Sequence, residues 1–222
     1  MRLFLWFLAI IALGGCSAVP QSREPDRPGA RGASNGAAVS IRTEAAQCLG
    51  ELARAGTRYS PLPDRYDGAG CQISNSVRLD RLQGDEDGFA LSNLGPVACP
   101  LASTFAGWAR YGVDRAARQL LGSPLVRIET MGSYSCRNVA GTGRLSAHAR
   151  AEAIDIGAFV LADGRRISVI DGWSSRDHGE QEFLRTVHRS ACKRFGTVLG
   201  PDYNHAHRDH LHVELGSESF CR

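Results

Sequence analysis

Four of the seven histidines fall within eight positions, at His205, His207, His210 and His212. Imidazole exchanges protons near neutral pH and is also the commonest metal ligand, so a run this dense is where chemistry is first sought. In an extended strand, residues two apart share a face. That places His210, His212 and Glu214 on one side and Leu211, Val213 and Leu215 on the other. One side then packs a core while the other presents imidazoles. Read alone, the same run also fits solvated surface histidines. His178 and His188 lie outside the cluster and read as surface residues.

A second constellation lies upstream. Ser146-Ala147-His148 sits in a polar turn, and Asp155 comes next inside the apolar segment Ala153-Ile154-Asp155-Ile156-Gly157. A carboxylate in such a strand is expensive to bury unless it is paired or metal-bound. By itself Asp155 also suits a structural partner of an arginine or a backbone amide. Taken together, His148, Asp155 and His212 make a set of two nitrogens and one oxygen, which suits Zn²⁺ with a fourth position open. Zinc lowers the pKa of bound water toward about 7 and polarises a carbonyl. The expected chemistry is amide hydrolysis without a covalent intermediate. His210, on the face of His212, is the candidate to accept the water proton, and His207 is the next candidate.

The pattern Ser146-x-His148-x-x-Ala151-x-Ala153-x-Asp155 resembles the first motif of the zinc peptidases that group lysostaphin, D-alanyl-D-alanine carboxypeptidases and hedgehog N-domains. His207-x-x-His210-x-His212 resembles their second motif, especially in the murein endopeptidase branch. From about Cys48 to the end the chain also resembles the bacterial extensin-like C-terminal domain family. That likeness runs through Gly132-Ser133-Tyr134-Ser135-Cys136-Arg137, Arg144-Leu145-Ser146, Gly164-Arg165 and Leu199-Gly200-Pro201-Asp202-Tyr203-Asn204. No Ser-Pro-Pro-Pro repeat is present, so nothing resembles plant extensin. The resemblance implies His148, Asp155 and His212 as zinc ligands, His210 as the catalytic histidine, and Arg137 and Ser146 on the substrate side. Arg137 equally suits a salt bridge within the fold. Two departures bear on loop geometry: Ala151 stands where the first motif usually has glycine, and Ala147 where extensin-like members commonly carry glutamate.

Positioning these residues requires a scaffold. Thr43 can cap a helix that stops near Gly56, and residues 57–98, rich in Pro, Gly and Asp, read as loops and short strands. Pro100 opens the best helical pattern, through Phe105, Trp108 and Val113 to Gly122. Leu125 to Thr130 reads as a strand, Ala153 to Leu161 and Arg165 to Ile170 as a hairpin around Asp163-Gly164, and Glu180 to Phe195 as a helix ended by Gly196. His210 to Leu215 is a last strand. Without strict βαβ alternation, the expected class is α+β: a small, mostly antiparallel sheet flanked by helices. The resemblance implies the zinc-peptidase core of the lysostaphin and hedgehog group.

The 222 residues are 43% hydrophobic and 22% charged, which excludes a collagen, a coiled coil and a wholly disordered chain. A net charge of +3 with no long basic block argues against a nucleic-acid partner. Arg2, the apolar run Leu3 to Leu13 and then Gly14-Gly15-Cys16 read as a signal sequence ending in a lipobox-like cleavage site. Residues 1–15 are therefore expected to be removed, Cys16 to carry a lipid anchor in the membrane, and Ser17 to direct the chain to the outer membrane. Residues 16–40 read as a disordered tether and 41–222 as one domain. Cys48, Cys71, Cys99, Cys136, Cys192 and Cys221 remain, an even set for an oxidising compartment, with their pairing left open. The expected function is zinc-dependent hydrolysis of an amide in peptidoglycan stem peptides or crosslinks, by a lipoprotein facing the periplasm of the bacterial envelope. The alternatives are a catalytically inactive zinc-containing wall-binding or structural lipoprotein, and a disulfide-stabilised interaction domain without metal.

Overall fold

The computed structural model describes residues 35–216 and 219–222, with side chains from residue 43 onward. The expected signal, Cys16 and residues 16–34 of the expected tether lie outside the described residues. Helix α1 spans Asn35–Arg54, so residues 35–40 are helical rather than tether and Thr43 lies inside the helix instead of capping it. No described helix is long and apolar enough to cross a membrane.

The Pro/Gly-rich segment after α1 yields β1 (Arg58–Pro61), β2 (Arg65–Gly68), β3 (Cys71–Ile73), β4 (Ser76–Gln83), β5 (Gly88–Ser92) and β6 (Val97–Ala98). Next come helices α2 (Cys99–Trp108) and α3 (Arg115–Leu121), joined through a π-helical turn over Ala109–Asp114. Gly122, at φ 69°, ends this run in the left-handed conformation expected of it. The rest of the chain forms β7 (Leu125–Gly132), β8 (Ala153–Leu161), β9 (Arg166–Ser168), α4 (Val169–Gly172), α5 (His178–Cys192), β10 (Thr197–Leu199), β11 (Leu211–Glu214) and β12 (Phe220–Cys221). The α5 helix starts earlier than apolar spacing suggests because Asp177 caps it, accepting from the amides of Gly179 at 2.8 Å and Glu180 at 3.1 Å.

The class is α+β, but the sheet is not small. Ten strands run in the order β1-β4-β5-β7-β8-β11-β10-β12, with β6 beside β4 and β9 beside β8. The pairs β5–β7 and β10–β12 are parallel and the other pairs antiparallel. β2 and β3 form a separate hairpin. The short strands up to residue 98 are masked in sequence by their turn residues, and β1, β4, β5 and β6 among them build one whole side of the sheet.

Fully buried Trp108 anchors the core, its ring 5.6 Å from Phe105, 6.4 Å from Phe159 and 5.9 Å from Phe195. Burying each such side chain contributes about 1.5–3 kcal/mol. Simple alternation along β8 would put Asp155 and Phe159 on the same face, yet Phe159 is in this core and Asp155 stands against His148 and His212. The register explains why. Glu129 pairs with Ala158 but Thr130 pairs with Ile156, leaving Gly157 as an extra residue in β8. Thr130 pairs with Ile156 but Gly132 with Asp155, leaving Met131 extra in β7. Each bulge inverts the facing of the residues beyond it. Asp155 can therefore emerge from a strand whose other end is core.

Three disulfides join Cys48 to Cys99, Cys71 to Cys136 and Cys192 to Cys221. They tie α1 to α2, the β2–β3 hairpin to the loop after β7, and α5 to β12. A disulfide of this kind typically contributes roughly 2–4 kcal/mol by restricting the unfolded chain.

Candidate metal centre

β8 and β11 are antiparallel neighbours, and the pairing puts His212 directly across from Asp155. His212 Nδ1 lies 2.8 Å from Asp155 Oδ1. On the other side of the carboxylate, His148 Nε2 lies 3.2 Å from Oδ2. The His148 and His212 ring centroids are 5.1 Å apart. One nitrogen from each ring and one oxygen of Asp155 lie within 4.8 Å of one another, as a common cation requires. The three residues singled out from the sequence do come together.

Local structure fixes each ligand. His148 rides on a 3₁₀ turn, Ala147–Arg150, whose N-cap is Ser146. The Ser146 hydroxyl accepts the His148 amide at 3.3 Å, and Ser146 is itself buried. Ser146, expected on the substrate side, here holds the turn that carries His148. The turn ends at Ala151, fully buried at φ 56°. That left-handed geometry favours glycine, since a Cβ there is strained.

The buried His148 ring donates from Nδ1 to the Ser133 carbonyl at 3.2 Å, the arrangement that orients metal-ligating histidines. In the neutral ring this leaves Nε2 with its lone pair. Nε2 has no hydrogen-bond partner although the Asp155 oxygen is close. Two electron-rich atoms buried face to face call for positive charge between them, supplied by a proton or a metal ion. On the far side, His212 Nε2 faces Glu214 Oε2 at 3.7 Å, so Nδ1 is the nitrogen turned to Asp155.

Electrostatics obey the same logic. Burial, the strongest influence on His212, pulls its pKa down, but hydrogen bonds and charge from Asp155 and Glu214 outweigh it and push the pKa up to about 9. Burial likewise opposes ionisation of Asp155, and His148 and His212 overcome it, holding the carboxyl well below the usual range. The metal-free centre thus already stabilises positive charge at the point where the ligands converge.

Around this set stand the other histidines. His210 Nε2 is 3.6 Å from Asp155 Oδ1, and its Nδ1 is held by Asp209 Oδ1 at 2.9 Å. His207 Nδ1 contacts the Asn204 side-chain oxygen at 2.8 Å, and its ring lies 5.1 Å from His210 and 6.0 Å from His212. Burial, then the charges of His210 and His212, lower the His207 pKa to about 4, so at neutral pH it is a neutral acceptor. His205 is turned outward against Arg208, 3.4 Å away, and takes no part. Arg137 is exposed, makes no ion pair among the described residues, and lies near enough to His207 to help lower its pKa. The internal salt bridge that was its alternative is not formed among those residues. Its loop is clamped by the Cys71–Cys136 bond and by the Tyr134 hydroxyl donating to Asp67.

Sequence reading missed Asp209, Asn204, Glu214 as a partner of His212, and the Ser133 carbonyl. Asp209 had a legible signal, a carboxylate beside a candidate base; a backbone carbonyl has none. His188 is half-buried rather than on the surface: its Nε2 contacts the Arg222 carbonyl at 3.2 Å, and its ring meets Trp173 at 5.4 Å. It lies near Cys192 and Cys221, but their sulfurs are bonded to each other and so do not form a thiolate set.

No curated protein and no solved structure matches the chain. Residues 46–222, which carry His148, Asp155 and His212, match the family described as extensin-like protein C-terminus. By that match the chain belongs to the extensin-like C-terminal family.

Proposed function

We propose that this protein is a zinc-dependent hydrolase that cleaves an amide bond in peptidoglycan stem peptides or crosslinks. The observation that carries the reading is the convergence of His148 Nε2, Asp155 and His212 Nδ1, with the orphaned buried Nε2 of His148 at its centre. Two imidazole nitrogens and one carboxylate oxygen suit Zn²⁺ with room for a further ligand. When bound, zinc supplies a water of lowered pKa and polarises a carbonyl.

The chain's own residues supply the rest. Asp209 fixes His210 through Nδ1, leaving Nε2 turned toward the centre to hold or move a proton. His207, neutral, offers an acceptor beside it. Arg137, exposed and without an ion pair among the described residues, presents a fork of donors suited to a peptide carboxylate. The motif resemblance to lysostaphin-like and murein endopeptidases supports both the metal and the substrate class. A lipid on Cys16 would hold the domain at the bacterial envelope, facing the wall from the outer membrane.

The test is digestion of purified muropeptides by the full chain with zinc, with chelator, and as His210→Ala. Cleavage lost on chelation and in the variant supports the reading. Stoichiometric zinc with no stem-peptide bond broken rejects it in favour of a wall-binding lipoprotein.

A further inference from the structure

The loop between β10 and β11 carries His207 and His210, yet its 3₁₀ turn over His205–His207 buries no residue. The Asn204 side-chain oxygen holds His207 Nδ1 at 2.8 Å, and beside that bond stands a row of rings. The Arg222 guanidinium lies 5.4 Å from the Phe220 ring, Phe220 5.7 Å from Tyr203, Tyr203 5.3 Å from His207, and His207 5.1 Å from His210. The Phe220–Tyr203 and Tyr203–His207 contacts are edge-on, the favoured geometry for aromatic pairs.

The outer end of this row is immobilised. Cys221 is bonded to Cys192 on α5. The Phe220 amide donates to Gly196 O at 2.7 Å and the Arg222 amide to Val198 O at 3.0 Å, while Arg222 O accepts the Gly200 amide at 2.8 Å. Gly200 O in turn accepts the Tyr203 amide at 2.9 Å. The last strand and the start of the histidine loop are thus one hydrogen-bonded unit crosslinked to a helix.

We infer that Tyr203 is a positioning residue for His207, seating the imidazole by ring contact with a disulfide-pinned C-terminal strand. The inference deepens the hydrolase reading and rests on it for its kinetic consequence. The geometry itself does not depend on that reading. The Tyr203 hydroxyl makes no hydrogen bond among the described residues, so the ring rather than the hydroxyl carries the effect. Phe220 acts one contact further out through the same path.

Two readouts test this on the full chain. In NMR spectra of histidine-labelled protein, with the His207 ring signal assigned by its loss in His207→Gln, Tyr203→Ala and Phe220→Ala should each shift that signal and Tyr203→Phe should leave it near its original place. In muropeptide hydrolysis, Tyr203→Ala should lower kcat by about ten-fold or more with KM changed less than about two-fold. Tyr203→Phe should restore the rate, and the Tyr203→Ala, Phe220→Ala double variant should be no slower than Tyr203→Ala alone. Where an alanine variant fails to fold, leucine at the same position removes the ring and keeps apolar bulk. A raised KM with unchanged kcat makes Tyr203 a substrate contact and overturns the inference, as does a His207 signal indifferent to Phe220. If wild type cleaves nothing while the signal still moves as expected, the hydrolase reading fails and the ring coupling stands.

Discussion

Asp155 and His212 are cross-strand partners whose side chains meet, Oδ1 to Nδ1, at 2.8 Å. Two residues far apart in sequence are set by a single register, with no flexible loop between either one and the sheet. His148 completes the set from a capped turn that leads into β8. A candidate metal centre built this way is as rigid as the strands that carry it, and its proposed ligands should respond differently to substitution from the residues around it.

His148→Ala, Asp155→Ala and His212→Ala are each expected to abolish metal retention. His210→Ala should keep the metal and lose activity. Elemental analysis of protein purified without a histidine tag decides between them, and metal at wild-type stoichiometry in His212→Ala would overturn the ligand assignment.

The pKa of His212 gives a signed pH dependence. Its folded value of about 9 lies above its ordinary 6.5. Its contribution to stability is therefore fully present below about 6.5 and is lost as pH rises through 9. The melting temperature of metal-free protein should fall across that interval. Metal competes with the same proton, so the stabilisation on adding zinc should grow over the same range. Melting curves with zinc and with chelator test this, and parallel pH slopes would contradict it.

Asp209 holds the His210 ring by its Nδ1. Asp209→Asn is expected to lower kcat by about 10–100-fold, the usual consequence of loosening an outer-shell partner. Metal content should be unchanged. Loss of metal together with rate would place Asp209 in the centre instead.

Arg137→Ala should raise KM by roughly ten-fold or more, as expected for loss of a charge-assisted pair worth about 1.5–3 kcal/mol. Arg137→Lys should recover only part, because the ammonium lacks the guanidinium fork. A substrate analogue lacking its free carboxylate should be indifferent to both changes.

Ala151 is fully buried at φ 56°. Ala151→Gly relieves the left-handed backbone but adds freedom to the unfolded chain, so the net change should stay within about 1 kcal/mol. Ala151→Val places a β-branched side chain in that conformation and should destabilise by about 2 kcal/mol or more. Urea titration measures both.

The candidate ligands were readable from type, spacing and motif resemblance: His210, His212 and Glu214 share a strand face, and a carboxylate between Ile154 and Ile156 needs a partner, ionic or hydrogen-bonding. Helices with clear punctuation, Pro100 and Gly122, were readable too. What defeated the sequence was non-local. The bulges at Gly157 and Met131 break the alternation that a strand pattern assumes. Leu215, expected in the core by parity with Leu211 and Val213, lies beyond the end of β11 and is 38% exposed. Residues 58–98 form strands whose partners, not whose propensities, decide their conformation. The Ser133 carbonyl that fixes the His148 ring carries no side-chain signature at all.

The Cys71–Cys136 bond bears on how freely the loop carrying Arg137 can move. It joins residues 65 apart in sequence and staples the β2–β3 hairpin behind the loop that presents Arg137. That loop cannot move away from the hairpin without breaking a covalent link, so the two move together. For the hydrolase proposed above, recognition would then be closer to a key meeting a fixed lock than to a hand closing.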